Sequence, residues 1–226
     1  IRSKHMNKQA FIDLGLSDEI ITALEKKGFD EPSQIQKETI PLMLAEDKDI
    51  IGQAQTGTGK TAAFGLPIIE KLSPSKAPVQ ALVLTPTREL TIQVSEELYT
   101  YKGKKPMTIT PIYGGQSIEK QRKQLNRPND IVVGTPGRLI DHLRSKKLDL
   151  SQLKYLVLDE ADEMLNSGFI EDIDFISEDI IIVQDSLITP SVINLGKIQI
   201  NDLTNFSFDI QNNSSKILTV FSLELI

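Results

Sequence analysis

The chain has 226 residues, a formal net charge of −6 at pH 7 and no cysteine, which excludes disulfides and thiol-based metal or redox chemistry. This length suits one large domain or one domain with an appendage. The acidic balance argues against broad electrostatic binding to nucleic acid but leaves room for a local basic strip. No apolar run approaches the roughly 20 residues of a membrane span, and no signal peptide opens the chain, so we predict a cytoplasmic protein.

The N-terminal region predicts helices and contains one polar residue with two interpretations. Residues 1–6 resemble a cloning remnant ahead of a native start at Met6. A helix is predicted over 17–27, capped by Ser17 and closed by Gly28. Further on, Ser33-x-x-Gln36 is typical of a capping box. The Gln36 amide could instead pair with an adenine edge, because an amide donates and accepts side by side. Both roles are compatible.

Residues 54–61, Ala-Gln-Thr-Gly-Thr-Gly-Lys-Thr, follow a strand-like run over 49–52 and lead into a helix. A strand, a glycine loop and a helix start form a P-loop, in which backbone N–H groups surround a phosphate. In this pattern Lys60 reaches the β- and γ-phosphates and the Thr61 hydroxyl ligates Mg²⁺. A surface turn is the alternative interpretation, and Ala54 stands where the strict pattern has glycine. The predicted nucleotide contacts here are Thr56, Gly57, Thr58, Gly59, Lys60 and Thr61.

Strands and helices alternate after this loop. Helical patterns cover 64–72, 87–101, 117–125 and a short stretch around 139–143, and strand patterns cover 80–85, 107–113, 130–134 and 155–158. Such alternation predicts an α/β fold, with a parallel sheet covered by helices on both faces. Ligands of these folds bind at the carboxyl ends of the strands. The P-loop, Thr85-Pro86, Gly134-Thr135 and Asp159-Glu160 all fall at such ends.

The acidic pair Asp159-Glu160 follows the apolar strand at 155–158, which is the Walker B pattern. Asp159 is predicted to hold Mg²⁺, mostly through water. Glu160 is predicted to orient or deprotonate the water that attacks the γ-phosphate. The catalytic prediction therefore comprises Glu160, Asp159 and Lys60, and the metal prediction Thr61 and Asp159. A solvated acidic turn is the alternative.

Residues 159–162 read Asp-Glu-Ala-Asp, and the chain from about 11 to 176 resembles the first RecA-like domain of the DEAD-box ATP-dependent RNA helicases. Residues 54–61 look like motif I of that family, in which alanine is an accepted first residue, and residues 28–36 look like its Q motif. The resemblance implies ATP and Mg²⁺ as ligands and adenine recognition by Gln36. It also implies stacking on the base by Phe11, which would otherwise be a core aromatic residue.

Three further stretches resemble the family's RNA-binding motifs: residues 86–90 motif Ia, Gly114-Gly115 the GG motif, and residues 135–138 motif Ib. The resemblance implies that they grip the RNA sugar-phosphate backbone without reading bases, a task suited to guanidinium, hydroxyl and backbone N–H groups. Alone, Arg88 and Arg138 would be ordinary surface arginines. Thr91 stands where the family usually has alanine. The predicted RNA contacts are Pro86, Thr87, Arg88, Gly114, Gly115, Thr135, Pro136, Gly137 and Arg138.

The resemblance ends after Ile176. The family's Ser-Ala-Thr strand is expected about 20 residues further on, but the apolar run at 179–183 does not carry that motif. The second RecA-like domain, whose arginines supply about 10³–10⁵ in rate in related enzymes, is not found either. We therefore divide the chain into residues 7–177, an incomplete RecA-like ATP-binding domain, and 178–226, a β-rich segment. We expect the chain alone to bind nucleotide weakly, to hydrolyse it very slowly and not to unwind RNA.

The segment from 178 onward has a β-like pattern. Apolar residues alternate at 206, 208 and 210 and again over 217–225, on either side of a turn at 212–215, which predicts an antiparallel hairpin. This segment weakly resembles the opening strands of an immunoglobulin-like sandwich. It could be a foreign segment, a truncated partner domain or a piece that docks on the incomplete sheet, and its edges could pair with another chain. The alternative functions are thus a non-catalytic nucleotide- or RNA-binding half-clamp, or a chimera whose tail mediates association.

Overall fold

A computed structural model of the chain describes residues 6–45, 49–55, 57–74, 78–184, 194–195, 210–211 and 217–221, with side chains described up to residue 177. The helices are α1 Lys8–Ile12, α2 Asp18–Lys27, α3 Gln34–Ala45, α4 Lys60–Lys71, α5 Arg88–Tyr101, α6 Ile118–Leu125, α7 Pro136–Arg144, α8 Ala161–Asn166 and α9 Ile170–Gln184. The strands are β1 Ile50–Gly52, β2 Ala81–Leu84, β3 Ile109–Ile112, β4 Ile131–Gly134, β5 Tyr155–Asp159, β6 Asn194–Leu195, β7 Ile210–Gln211 and β8 Ile217–Phe221.

The predicted parallel sheet is confirmed. Six strands lie in the order β1-β8-β5-β2-β4-β3, and every neighbouring pair is parallel. Strands β2, β4 and β5 are buried along their whole length, as expected where helices cover both faces of a sheet.

Side chains of the central strands alternate between two cores. Ala81 and Val83 belong to a cluster that α1 to α5 complete on one face, with Phe11 and Phe64 fully buried in it. Leu82 and Leu84 belong to a second cluster on the other face, completed largely by α7, α8 and α9. The period of two along a strand produces this division.

Ser17 does not cap α2 as predicted. Its backbone N–H and its hydroxyl both donate to Glu70 Oε2, at 3.0 and 2.9 Å, so it fastens the start of α2 to α4 instead. Gly28 does close α2, in the left-handed conformation that glycine adopts without a steric penalty. Met6 packs partly buried against the first core, and the rest of the predicted cloning remnant lies outside the described residues.

The segment after Ile176 differs from the prediction in two respects. Residues 178–184 are the last part of α9 and are therefore helical, although their apolar run favoured a strand. Strands β7 and β8 do not form a hairpin: β7 pairs antiparallel with β6, whereas β8 enters the main sheet between β1 and β5. The predicted turn at 212–215 lies outside the described residues. The boundary at 177 and 178 stays a prediction.

Candidate functional site

The sheet brings the P-loop, the acidic pair and the three stretches with predicted RNA contacts to one edge, because each lies at the carboxyl end of a strand of the same parallel sheet. Phe11 and Gln36 lie outside the sheet, in α1 and α3. The strand order also separates the stretches at this edge into two halves. The P-loop follows β1 and the acidic pair ends β5, on one side of the sheet. The three stretches with predicted RNA contacts follow β2, β4 and β3, which lie next to one another on the other side.

The P-loop leads from β1 into α4. Gly57 and Gly59 have φ angles of 78° and 89°, a region that other residues rarely adopt, and Gly59 forms the N-cap of α4. The N-cap has no side-chain hydrogen bond, so the partial positive charge of the helix start faces the loop. Thr61 is half-buried in the first turn of the helix. Thr56 lies outside the described residues.

Lys60 is buried, with 8% of its surface exposed, at the first position of α4. Within the described residues its ammonium donates no hydrogen bond, although it is close enough to Asp159 to lower the pKa of that carboxyl. An ammonium at a helix start, next to the N–H groups of a glycine loop, forms strong charge-assisted hydrogen bonds with an anion such as a phosphate. The arrangement of Lys60, the glycine loop and the helix start therefore fits a bound phosphate.

Gln36 connects α3 to the P-loop. Its Oε1 accepts the Ser33 N–H at 3.0 Å, as in the predicted capping box, while its Nε2 donates to the Gly59 carbonyl at 3.1 Å. A Cβ atom at Gly59 would overlap this amide, so glycine is required there for two reasons, space and backbone conformation. The other half of the box is not formed, since the buried Ser33 hydroxyl has no partner within the described part of the chain. Adenine recognition by Gln36 stays a prediction.

Phe11 is fully buried against the edge of Phe29, with ring centroids 6.3 Å apart. In this arrangement the ring is a core residue and is not exposed to a ligand. Stacking of Phe11 on a base stays a prediction, and it requires the N-terminal segment to move.

The acidic pair lies at the end of β5. Asp159 is 3% exposed, and burial raises its pKa to about 6, against the lowering effects of Lys60 and of the Glu160 N–H. Burial, followed by a hydrogen bond with Glu163 and the charge of Asp159, raises the pKa of Glu160 to about 7. Glu160 also has φ 52° and ψ 49°, a left-handed conformation that is uncommon outside glycine and is frequent at functional sites.

Two neighbouring carboxyl groups with raised pKa values would be stabilised in their charged form by a cation. Within the described residues no cluster of three or more His, Asp or Glu side chains forms a complete cage for a metal. Asp159 at the end of β5 and the Thr61 hydroxyl in the first turn of α4 match the sparse protein ligation of Mg²⁺, which keeps several waters and takes oxygens from phosphates. The donor set present therefore fits Mg²⁺ carried by a nucleotide.

Arg88, at the start of α5 after β2, is exposed and lies over the ring of Tyr113, 5.2 Å from its centroid. Tyr113 directly precedes the exposed pair Gly114-Gly115, and the Arg88 guanidinium reaches toward Gly115. The Thr87 hydroxyl caps α5 by accepting the Leu90 N–H at 3.2 Å. The stretch after β2 therefore touches the loop after β3.

Arg138 approaches the same loop from the other side. It is only 17% exposed, it pairs with Asp141 at 3.5 Å, and its Nη1 donates to the Gln116 carbonyl at 3.2 Å. Its helix, α7, begins with buried Pro136 at a position where a helix needs no N–H donor, and Gly137 is exposed beside it. Arg88 and Arg138 thus flank the loop that carries Gly114 and Gly115, with Thr135 half-buried at the end of β4.

A buried polar network beneath this loop was not predicted. Gln121 is 0% exposed, donates to the Tyr113 carbonyl at 2.8 Å, and accepts from Arg138 at 3.4 Å. Its Oε1 also lies 3.1 Å from Nε2 of His142, and burial followed by the charge of Arg138 lowers the pKa of that histidine. A neutral His142 therefore donates from Nε2. The sequence shows only a polar helix here, with nothing to mark Gln121 as buried.

Thr91, the departure from alanine, has partners for its hydroxyl. It is fully buried, and its Oγ1 donates to the Thr87 carbonyl at 2.9 Å and lies 2.6 Å from the Thr85 hydroxyl. Thr85 in turn lies 3.5 Å from the Gly134 carbonyl. The extra hydroxyl therefore links α5 to the end of β2 without leaving a buried polar group unpaired.

A parallel sheet with a P-loop after β1 and an acidic pair at the end of β5 defines the RecA-like class of P-loop proteins. The sequence model of the DEAD/DEAH box helicases matches residues 33–191, and this chain belongs to that family. The family predicted from the motifs is thereby confirmed.

Relatives with curated descriptions support the same conclusion. The chain is 58% identical over 166 residues to the DEAD-box ATP-dependent RNA helicase CshA of Geobacillus kaustophilus, covering 74% of this chain and 35% of that protein. It is 56% identical over 170 residues to CshA of Bacillus cereus, covering 75% and 32%. The chain thus spans about a third of the length of the curated relatives it matches.

Solved structures agree on the fold. A DEAD box protein from Methanococcus jannaschii aligns with a TM-score of 0.74 and 41% identity, over 94% of this chain and 49% of that one. The yeast DEAD-box splicing factor Prp28 aligns with a TM-score of 0.74 and 29% identity, over 93% and 45%.

In the described part of the chain, no helix has the length and apolar character to cross a membrane.

Proposed function

We propose that this chain is the Mg·ATP- and RNA-backbone-binding half of a DEAD-box RNA helicase. The observation that carries the proposal is the order of the strands. It sets a phosphate loop and an acidic pair on one half of a single sheet edge, and two arginines that flank a double-glycine loop on the other half. A ligand on one half lies next to a ligand on the other, since β5 and β2 are neighbours.

Each residue on the nucleotide-binding half of the sheet edge has its own proposed role. Lys60 and the N–H groups of the loop bind the phosphates, while Thr61 and Asp159 hold the Mg²⁺ that accompanies them. Glu160, with a pKa near neutrality, orients the attacking water and can accept its proton. Gln36 is proposed to recognise the adenine and Phe11 to stack on it, which requires a rearrangement of the contacts described above.

The residues of the RNA half provide charged, hydroxyl and backbone donors that suit phosphate oxygens. Arg88 and Arg138 give charged donors, Thr87 and Thr135 give hydroxyls, and the residues around Gly114, Gly115, Pro136 and Gly137 bring backbone groups close to a phosphate. Contacts of this kind position a nucleic acid without reading its sequence. The chain's net charge of −6 makes this local strip, and not the protein as a whole, responsible for the attraction.

We expect Arg88→Ala and Arg138→Ala each to weaken binding of single-stranded RNA to a similar degree for all sequences. Each loss should lower the slope of log Kd against log salt concentration by about 0.7–1, the value for one phosphate contact. Fluorescence anisotropy with several unrelated RNA sequences over a salt series measures both quantities.

Arg127→Ala is the matched control for these variants. Arg127 is exposed, as Arg88 is, but it precedes β4, so it lies at the opposite edge of the sheet. Its loss should leave the affinity and the slope unchanged. A sequence-dependent loss, or an equal effect of Arg127→Ala, would contradict the placement of the RNA strip.

We also expect the chain alone to hydrolyse ATP very slowly, because related enzymes gain about 10³–10⁵ in rate from arginines that come from outside the P-loop domain. Adding a separately produced second RecA-like domain of a DEAD-box helicase should restore RNA-stimulated hydrolysis, and Glu160→Gln should remove that gain. Phosphate release measures the rates. Fast turnover by the chain alone would refute the expectation. Nucleotide binding without any rescue would instead favour the non-catalytic half-clamp.

A further inference from the structure

The strand that carries the P-loop has a single neighbour in the sheet as described. β1 stands at the edge of the order β1-β8-β5-β2-β4-β3, and it joins the rest of the sheet through β8. β8 in turn pairs with β5 along its whole length, from Ile217 opposite Tyr155 to Phe221 opposite Asp159. The connection between the two parts of the nucleotide half therefore runs through residues 217–221.

The register of the strands places the end of β1 and the end of β5 at the same height in the sheet. Phe221 lies opposite Gly52, the last residue of β1, and also opposite Asp159, the last residue of β5. Neighbouring strands lie about 4.8 Å apart, so one inserted strand holds the ends of β1 and β5 roughly 10 Å apart. Without it, β1 would either close onto β5 or lose its backbone hydrogen bonds to the sheet.

This strand comes from the segment that does not match the family by sequence. The family match covers residues 33–191, and the chain reaches β8 only after residues 185–216, a connection long enough for the crossover that parallel strands need. The structural alignment to the Methanococcus protein nevertheless extends over 94% of the chain. Likeness of fold therefore continues beyond the end of the sequence match.

The sequence of β8 suits a strand inside a parallel sheet. Residues 217–221 read Ile-Leu-Thr-Val-Phe, which are all residues that favour strands. Strands buried on both faces of a parallel sheet have such continuous runs, whereas a half-buried hairpin strand alternates with polar residues. The run therefore fits the observed position better than the predicted hairpin.

We propose that the gap between β1 and β5 is a strand-acceptor site and that Ile217–Phe221 is its built-in occupant. By filling the gap, this segment replaces the strand that is missing from residues 178–184, which are helical here. It also fixes the spacing between the P-loop and Asp159. The occupancy of the gap by residues 217–221 concerns the fold alone. The effect on the spacing between the P-loop and Asp159 rests on the proposed nucleotide function.

Disulfide trapping tests the occupant directly, since the chain has no cysteine of its own. Val157 and Thr219 are register partners on β5 and β8, and both are small β-branched residues for which cysteine is a modest change. Paired positions on adjacent strands lie within the Cα separation of about 4.4–6.8 Å that a disulfide needs. The full-length double variant Val157→Cys/Thr219→Cys should therefore oxidise readily to a cross-linked monomer, detected by non-reducing electrophoresis and peptide mass spectrometry.

The control pair is Val157→Cys/Val220→Cys. Val220 is one residue further along β8 and pairs with Leu158, so it is out of register with Val157. This pair should not cross-link. Equal cross-linking of both pairs, or none of the first, would overturn the proposal. A cross-linked dimer would also overturn it, because the occupant would then come from a second copy.

The effect on the nucleotide half is measured separately. Thr219→Pro removes a backbone donor from the middle of β8, which a strand inside a sheet does not tolerate. Mg·ATP binding to the full chain should be lost in this variant and retained in the oxidised Val157→Cys/Thr219→Cys protein. Binding unchanged by Thr219→Pro would refute the role in spacing. If the cross-link forms but the unmodified chain does not bind Mg·ATP, the proposed function fails and the strand placement stands.

Discussion

Lys60→Ala is expected to weaken Mg·ATP binding about 10–100-fold, the loss that corresponds to one charge-assisted contact of about 1.5–3 kcal/mol. Lys60 is buried at the first position of α4, beside Asp159, and within the described residues it donates no hydrogen bond. Its ammonium is therefore available for the phosphates. The loss should appear in titration calorimetry with ATP and Mg²⁺.

The same substitution should not unfold the protein, because within the described residues the Lys60 ammonium donates no hydrogen bond that the fold would lose. Lys27→Ala, in the exposed last turn of α2, is the matched control and should change neither affinity nor stability. Unchanged Mg·ATP affinity in Lys60→Ala, with Lys27→Ala behaving as wild type, would exclude Lys60 as the phosphate ligand.

Asp159→Asn is expected to have opposite effects on stability and binding. Burial raises the pKa of Asp159 from 3.8 to about 6, so keeping this group ionised near pH 8 destabilises the fold by about 2–3 kcal/mol. An amide can still accept the Glu160 N–H and carries no charge. The variant should thus melt several degrees higher than wild type at pH 8, yet lose the ability of Mg²⁺ to strengthen ATP binding.

The stability of the wild type should also depend on pH, in a direction set by the raised pKa of Asp159. Between pH 4 and 6 the folded protein binds more protons at Asp159 than the unfolded chain does, so stability falls as pH rises through this window. Glu160, with its pKa raised to about 7, extends the fall toward neutrality. Asp159→Asn should reduce the slope of melting temperature against pH, whereas Mg·ATP binding by the wild type should strengthen over the same range as Asp159 ionises.

Asp130→Asn provides the contrast. Asp130 is a buried carboxylate that accepts from Gln80 at 3.2 Å and from the Thr108 N–H at 2.8 Å, so it is compensated by hydrogen bonds. An amide there turns one acceptor into a donor and should lower the melting temperature. If Asp159→Asn also lowers the melting temperature at pH 8, the Asp159 carboxylate stabilises the fold. That result would refute the prediction that its ionised form destabilises the fold.

Local sequence was sufficient to predict those elements whose residue types and apolar periodicity indicate the same structure. The glycine loop before α4, the buried strands that end at Asp159 and Gly134, and the cap at Gly28 follow from residue types whose conformational preferences act over a few positions. Prediction was wrong at Ser17 because its hydroxyl has a stronger partner in Glu70, 53 residues away. It also missed Gln121, whose burial depends on the loop after β3 and on α7 meeting around it.

The sequence by itself determined the family, the parallel α/β class and the identity of the residues at the sheet edge, because motifs and strand ends are local features. Only the tertiary structure decided which stretches are neighbours, that Phe11 is buried and Gln36 bonds Gly59, and that β8 lies between β1 and β5. An apolar strand such as residues 217–221 can satisfy its backbone hydrogen bonds against any free strand edge. The gap it enters exists only once the rest of the sheet has formed.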